Sequence, residues 1–247
     1  MTANYKSLYS QMVQLQNRHW WFRVHYALIR DMLRPYLKPR VRLLDIGCGP
    51  GMGTDKIPRS VHRVLLDLRL LALSYCKHGS PDRVCSDADF LPLKSDCFDI
   101  VVCSDLLHQC DVKEPQKVAR EAYRVCRPGG IILLVEPGMH CLFGPHDEVE
   151  NGCRRFTTLE LINLFGNHPV SLLRKTYLHM LMFLPAFTVR RFFSRFSSRR
   201  DTDLALGNRL TNFICFLIES AERGLNRFFN FPFGTSAAVL VKCEKPR

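Results

Sequence analysis

Short apolar, largely β-branched runs alternate with stretches of helical period over the first two-thirds of the chain. Residues 41–46, 64–68, 83–86, 99–104 and 131–136 read as strands. Between them, residues 70–78 and 115–126 read as helices, the second with Val118, Ala122 and Val125 at helical spacing and a stop at Pro128, Gly129 and Gly130. Strands that are apolar throughout, separated by helices, predict an α/β fold with a mostly parallel, doubly wound sheet covered on both faces. Two further strands are predicted at 171–177 and 237–243. The long segment between them is basic, aromatic and helical, with Leu206, Leu210, Phe213, Leu217 and Ala221 at three- and four-residue steps and Arg209, Glu219 and Glu222 elsewhere on the wheel. The expected organisation is a helical cap over 1–40, a core over 41–178 and 235–247, and a helical insertion or lid over 179–234.

Composition narrows this little. A chain of 247 residues, 47% hydrophobic and 23% charged, buries a full core as one domain with an elaboration. Residues 1–10 are polar, and the first apolar stretch, around Trp20, is broken by Arg18, His19 and Arg23, so a cytoplasmic protein is expected. The eleven cysteines are odd in number and contain no Cys-x-x-Cys pair, which predicts reduced thiols and no structural zinc site; no metal is expected. The formal charge of +12 changes the picture more, because it is clustered. Residues 190–200 hold five arginines and no acid, next to an apolar stretch too short to span a membrane. Such a run suits either an ordinary solvated helical face or a peripheral contact with an anionic membrane through 179–200.

The candidate chemistry starts at residues 45–51, Asp-Ile-Gly-Cys-Gly-Pro-Gly, directly after an apolar strand. A glycine turn there lets backbone amides approach a ligand. The dinucleotide spacing G-x-G-x-x-G fails, since Met52 or Thr54 stands at the third position, which disfavours a nicotinamide-dependent oxidoreductase. Asp67 closes the second strand and is either a ribose acceptor or the N-cap of the next helix. Asp87 and Ala88 follow the third strand, where they either meet a flat ring and its exocyclic amine or form a solvated turn.

Residues 45–51, Asp67, residues 86–93 (Ser-Asp-Ala-Asp-Phe-Leu-Pro-Leu), residues 98–102 and residues 124–130 (Arg-Val-Cys-Arg-Pro-Gly-Gly) together resemble the class I methyltransferases, in particular the type 11 group that includes the ubiquinone and menaquinone biosynthesis enzymes. The resemblance is strong over residues 41–137. His19, Trp20, Trp21, Phe22 and Arg23, with His146, Asp147 and residues 154–157, resemble the flanks of a bacterial branch of that group. It implies a Rossmann-like sheet of seven strands with an antiparallel last strand, and S-adenosyl-L-methionine as cofactor. It implies Gly47, Cys48, Gly49 and Gly51 along the methionyl part, Asp67 and Leu68 at the ribose, Asp87 and Ala88 at the adenine, Asp45 supporting the loop or the amino group, and Ser104 lining the site.

Methyl transfer needs alignment and exclusion of water more than a dedicated base. Where a base is used, His108 after the fourth strand is the candidate, with His140, His146 and Tyr177 behind it. Trp20 and Trp21 either cap the cleft or pack an N-terminal helix on the sheet. Arg154 and Arg155 either hold an anionic substrate or pair with Glu148 and Glu150. The expected acceptor is small or hydrophobic, with a lipid-linked one among the candidates. The alternatives are an RNA-modifying methyltransferase, which the basic run suggests and the absence of an RNA module or an Asn-Pro-Pro-Tyr-like motif speaks against, and a non-catalytic binder of S-adenosylmethionine.

Overall fold

The computed structural model describes residues 5–76, 82–193 and 208–246. Seven strands form one sheet in the order β3-β2-β1-β4-β5-β7-β6. They are β1 (Arg42–Ile46), β2 (His62–Asp67), β3 (Asp82–Cys85), β4 (Phe98–Ser104), β5 (Cys126–Pro137), β6 (Val170–Leu178) and β7 (Ser236–Cys243). The first five pair in parallel, and β7 runs antiparallel to both β5 and β6. The sheet is the one the apolar runs predict, because β1, β4 and β5 are covered on both faces. Leu43, Leu44, Val101, Cys103, Ile132 and Leu133 are fully buried.

Helices cover both faces and the carboxyl ends of the strands: α1 (Tyr5–Leu15), α2 (Trp20–Leu33), α3 (Leu70–Ser74), α4 (Pro115–Val125), α5 (Pro145–Val149), α6 (Thr158–Asn163), α7 (Phe183–Thr188) and α8 (Arg209–Asn226). In α4 the predicted period is the buried face, with Val118, Ala119, Ala122 and Val125 inward and Pro115 in the first turn, where its missing N–H costs nothing. The strand after it starts at Cys126, five residues earlier than its apolar run, since Cys126 pairs with Phe98 and, after a register shift, pairing resumes at Ile131 beside Ile100. Helix α3 is shorter than its pattern suggested, and part of residues 70–78 lies outside the described residues. Leu206 and the arginines at 195, 199 and 200 also lie outside them.

The connection leaving β6 emerges at the carboxyl ends of the parallel strands and returns through α8, which packs on α2. There Arg223 Nε donates to Asp31 at 2.6 Å, and Asn212 Oδ1 accepts from the Trp20 amide at 2.9 Å. No helix among the described residues is long and apolar enough to cross a membrane.

Candidate active site

The glycine turn leaves β1 at the centre of the sheet with three glycines in the left-handed region, Gly47 at φ +68°, Gly49 at +54° and Gly51 at +76°. Gly47 and Gly51 are glycine for want of room: a Cβ would stand 2.7 Å from Leu106 at Gly47, and 3.0 Å from Cys76 and Leu65 at Gly51. Gly49 is different, because nothing lies within 4 Å of the Cβ it lacks. It is the open point of the turn, where a ligand can lie against bare backbone.

Asp67, at the end of β2, faces this turn. Its Oδ2 accepts from the Gly49 amide at 2.9 Å and its Oδ1 from the Arg69 amide at 2.8 Å. The acid thus holds the turn and the start of α3 together, and burial lifts its pKa against those two hydrogen bonds. Helix α1 crosses this end of the sheet. Arg69 donates to the Tyr5 hydroxyl at 2.8 Å, and Tyr9 is buried, its pKa pushed up to about 12 by burial and by Asp67.

Asp45 lies beneath the turn, buried, and accepts from Thr54 Oγ1 at 2.8 Å. Burial raises it to about 7. Because the native value lies above the unfolded one of about 3.9, the folded chain holds an extra proton between about pH 4 and 7. Its contribution to stability is therefore present at low pH and lost as pH climbs through that window. Asp45→Asn keeps an acceptor for Thr54 and removes the buried charge. In urea unfolding it should gain on the parent by about 2 kcal/mol between pH 5 and pH 8. A variant that loses ground with rising pH contradicts this.

The remaining predicted contacts sit on neighbouring strand ends. Ser86 donates its amide to the Asp67 carbonyl, which sets Asp87 and Ala88 beside Asp67. Asp87 Oδ1 accepts from the Asp89 amide and closes a turn, Ala88 is buried, and Leu68 is exposed at the cleft edge. Cys48 turns its side chain into a small core cluster with Leu65, Leu73 and Cys76, so only its backbone faces the turn. Ser104 Oγ donates to Asp105 Oδ2 at 2.9 Å.

His108 is 9% exposed and bonded through Nδ1 to Glu136 at 2.9 Å. Burial disfavours its charged form, but Glu136 outweighs burial and raises its pKa. Glu136 also accepts from the amides of Leu106, Leu107 and His108, so this carboxylate at the end of β5 organises the loop after β4. His140 pairs with Glu160, and His146 with Glu150. Arg155 is buried and given to Asp147 and the Gly138 carbonyl, which spends it on structure.

A chain of four side chains went unread in the sequence. His25 Nε2 meets Asp105 Oδ2 at 3.0 Å, His25 Nδ1 meets His179 Nε2 at 3.2 Å, and His179 Nδ1 bonds Glu219. Both imidazoles and Glu219 are fully buried, while Asp105 is partly exposed at the carboxyl end of β4. Trp21 stacks on His25 with centroids 4.3 Å apart and interplanar angle 13°, and lies 6.2 Å from His179. The Trp pair therefore packs α2 and walls this chain at once. Each of the three hydrogen bonds needs one proton, so the four groups keep one net negative charge that a concerted shift can move from end to end. Burial would raise Asp105, but His25 outweighs it and holds the carboxyl below the usual range; His179 is raised against its burial by Glu219.

The arrangement is a bare-backbone turn facing an acid, with a partly exposed carboxylate kept ionised on the adjacent strand. Residues 44–134 match the family model for a methyltransferase domain. The matched stretch runs from within β1 through most of β5 and includes the glycine turn, Asp67 and Asp105. The chain is 34% identical over 110 residues to the demethylmenaquinone methyltransferase of Renibacterium salmoninarum, covering 43% of this chain and 45% of that protein. It is 33% identical over 102 residues to a phthiotriol/phenolphthiotriol dimycocerosates methyltransferase of Mycobacterium ulcerans, covering 38% of this chain and 37% of that one. The chain thus spans less than half the length of these curated relatives. In fold it resembles the crystal structure of an Archaeoglobus fulgidus SAM-dependent methyltransferase, with TM-score 0.54 and 20% identity over 88% of this chain and 94% of the other.

Proposed function

We propose that the chain is an S-adenosylmethionine-dependent methyltransferase acting on a small or hydrophobic acceptor, and that Asp105 receives the proton the acceptor loses. The observation that carries this reading is Gly49, whose missing Cβ opens on free space opposite Asp67 within the matched domain. The residues fit the cofactor: the turn offers backbone to its methionyl part, Asp67 retains lone pairs for ribose hydroxyls, and buried Ala88 leaves space for a flat ring. When bound, the cofactor supplies a methyl group on a positively charged sulfur.

The chain's own work is to align the acceptor, exclude water and hold a proton. His108 is nearly buried and its Nδ1 is taken by Glu136, which leaves it little reach to an acceptor. Asp105 is partly exposed and backed by His25, His179 and Glu219, whose linked hydrogen bonds can spread the proton it takes. The two relatives named above act, by their names, on demethylmenaquinone and on phthiotriol or phenolphthiotriol dimycocerosates, which favours a hydrophobic acceptor here as well.

The test is transfer of labelled methyl from S-adenosylmethionine to menadiol, to dithiothreitol and to a membrane-lipid extract. Transfer by the parent should fall about 100-fold in Asp105→Asn, the usual range for a lost base, with S-adenosylhomocysteine affinity unchanged. Undiminished transfer in Asp105→Asn returns the role to His108. Cofactor binding without transfer to any of these acceptors contradicts an enzyme of this specificity.

A further inference from the structure

Helix α8 is built inside out. Its buried residues are Glu219, Glu222 and Asn226, spaced three and four apart on the inward face. Leu210, Phe213, Ile214, Leu217 and Leu225 occupy the opposite face and are exposed, Phe213 to 56%, and Phe228 just beyond the helix reaches 82%. A helix on a water-soluble surface turns its apolar stripe to the core. Here the core side is claimed by function and structure: Glu219 bonds His179, and Glu222 accepts from the Met180 and Leu181 amides at 2.7 Å. A contiguous apolar face of this kind marks a surface that is covered in use.

The charges around it choose the cover. Both carboxylates of α8 point inward, and Asp31 on the neighbouring helix is neutralised by Arg223 and Arg227. Arg18, Arg23 and Arg209 stand exposed around the first turns; Asn212 bonds the Arg18 carbonyl, and Arg23 lies 3.6 Å over the Phe216 ring. An apolar stripe bordered by arginines, on a chain of net charge +12, suits insertion at the headgroup level of an anionic bilayer. A second copy of the chain would bring the same arginines against each other. We infer that the outer face of α8 docks this protein on anionic lipid bilayers, with Phe213 and Leu217 inserted and Arg18, Arg23 and Arg209 at the phosphates. The inference stands apart from the methyl-transfer reading, since it needs neither cofactor nor acceptor.

The experiment is co-sedimentation of the full chain with vesicles of phosphatidylcholine alone and of phosphatidylcholine with phosphatidylglycerol. Binding should be strong to the anionic vesicles, weak to the neutral ones, and weakened by high salt. The double variant Phe213→Ser, Leu217→Ser should lose roughly tenfold or more in vesicle affinity, because the inserted area is lost. Arg209→Glu with Arg23→Glu should lose affinity for anionic vesicles only. All these side chains are exposed, so an unchanged thermal midpoint separates lost docking from lost folding. Absence of vesicle binding by the parent, or equal binding by the Ser variant, overturns the inference. A concentration-dependent dimer that the Ser variant abolishes overturns it in favour of a second copy.

Discussion

Glu136→Ala should destabilise the protein by about 4 kcal/mol, a large share of the 5–15 kcal/mol that holds a typical domain together. The carboxylate is fully buried and accepts from three successive backbone amides and from His108 Nδ1. Alanine leaves two buried and one part-buried N–H group without an acceptor, at about 1–3 kcal/mol for each buried one before relaxation, and strips His108 of its counter-charge. Glu136→Gln keeps an oxygen for the amides and should recover part of the loss. Urea unfolding at neutral pH reads both variants. A loss under about 1 kcal/mol in the alanine variant would mean that the loop after β4 is held by something else. Since that loop carries Asp105 and Leu106, which packs against Gly47, the same variant should also weaken cofactor binding.

The sheet was legible because each central strand is buried on both faces, so its burial is written directly as an apolar run. The glycine turn, Asp67 and the carboxyl-end placement of Asp87 and Ser104 followed from the same punctuation. Hydrophobic period located α8 but could not tell which way it faces, because the stripe of Leu210, Phe213 and Leu217 has the same spacing whether it meets a core or a membrane. What decides the side is Glu219, and its partner His179 lies 40 residues away. The chain from Asp105 through His25 and His179 to Glu219 was illegible for the same reason. Its members come from α2, the end of β4, the end of β6 and α8, and none stands in a local motif. One signal was available: His25 lies one helical turn after Trp21 on a face that is otherwise apolar, where a buried imidazole needs a partner. His108 looked like a free base in the sequence because its buried partner, Glu136, closes the next strand, 28 residues on.

The second large effect concerns the glycine turn and bears on the whole account. Gly49→Arg places a long side chain in the open space of the turn, where only the left-handed φ of +54° is strained, at about 1–2 kcal/mol. The fold should therefore survive while the cofactor's place is filled. Asp67→Ala removes the proposed ribose acceptor and the brace on the Gly49 amide together. The decisive measurement is calorimetric titration of the folded chain and of both variants with S-adenosylmethionine and S-adenosylhomocysteine. The parent should bind saturably at one site, with binding weakened about 100-fold or more by Gly49→Arg and clearly by Asp67→Ala. No binding by a well-folded parent, or binding that Gly49→Arg leaves intact, would contradict it.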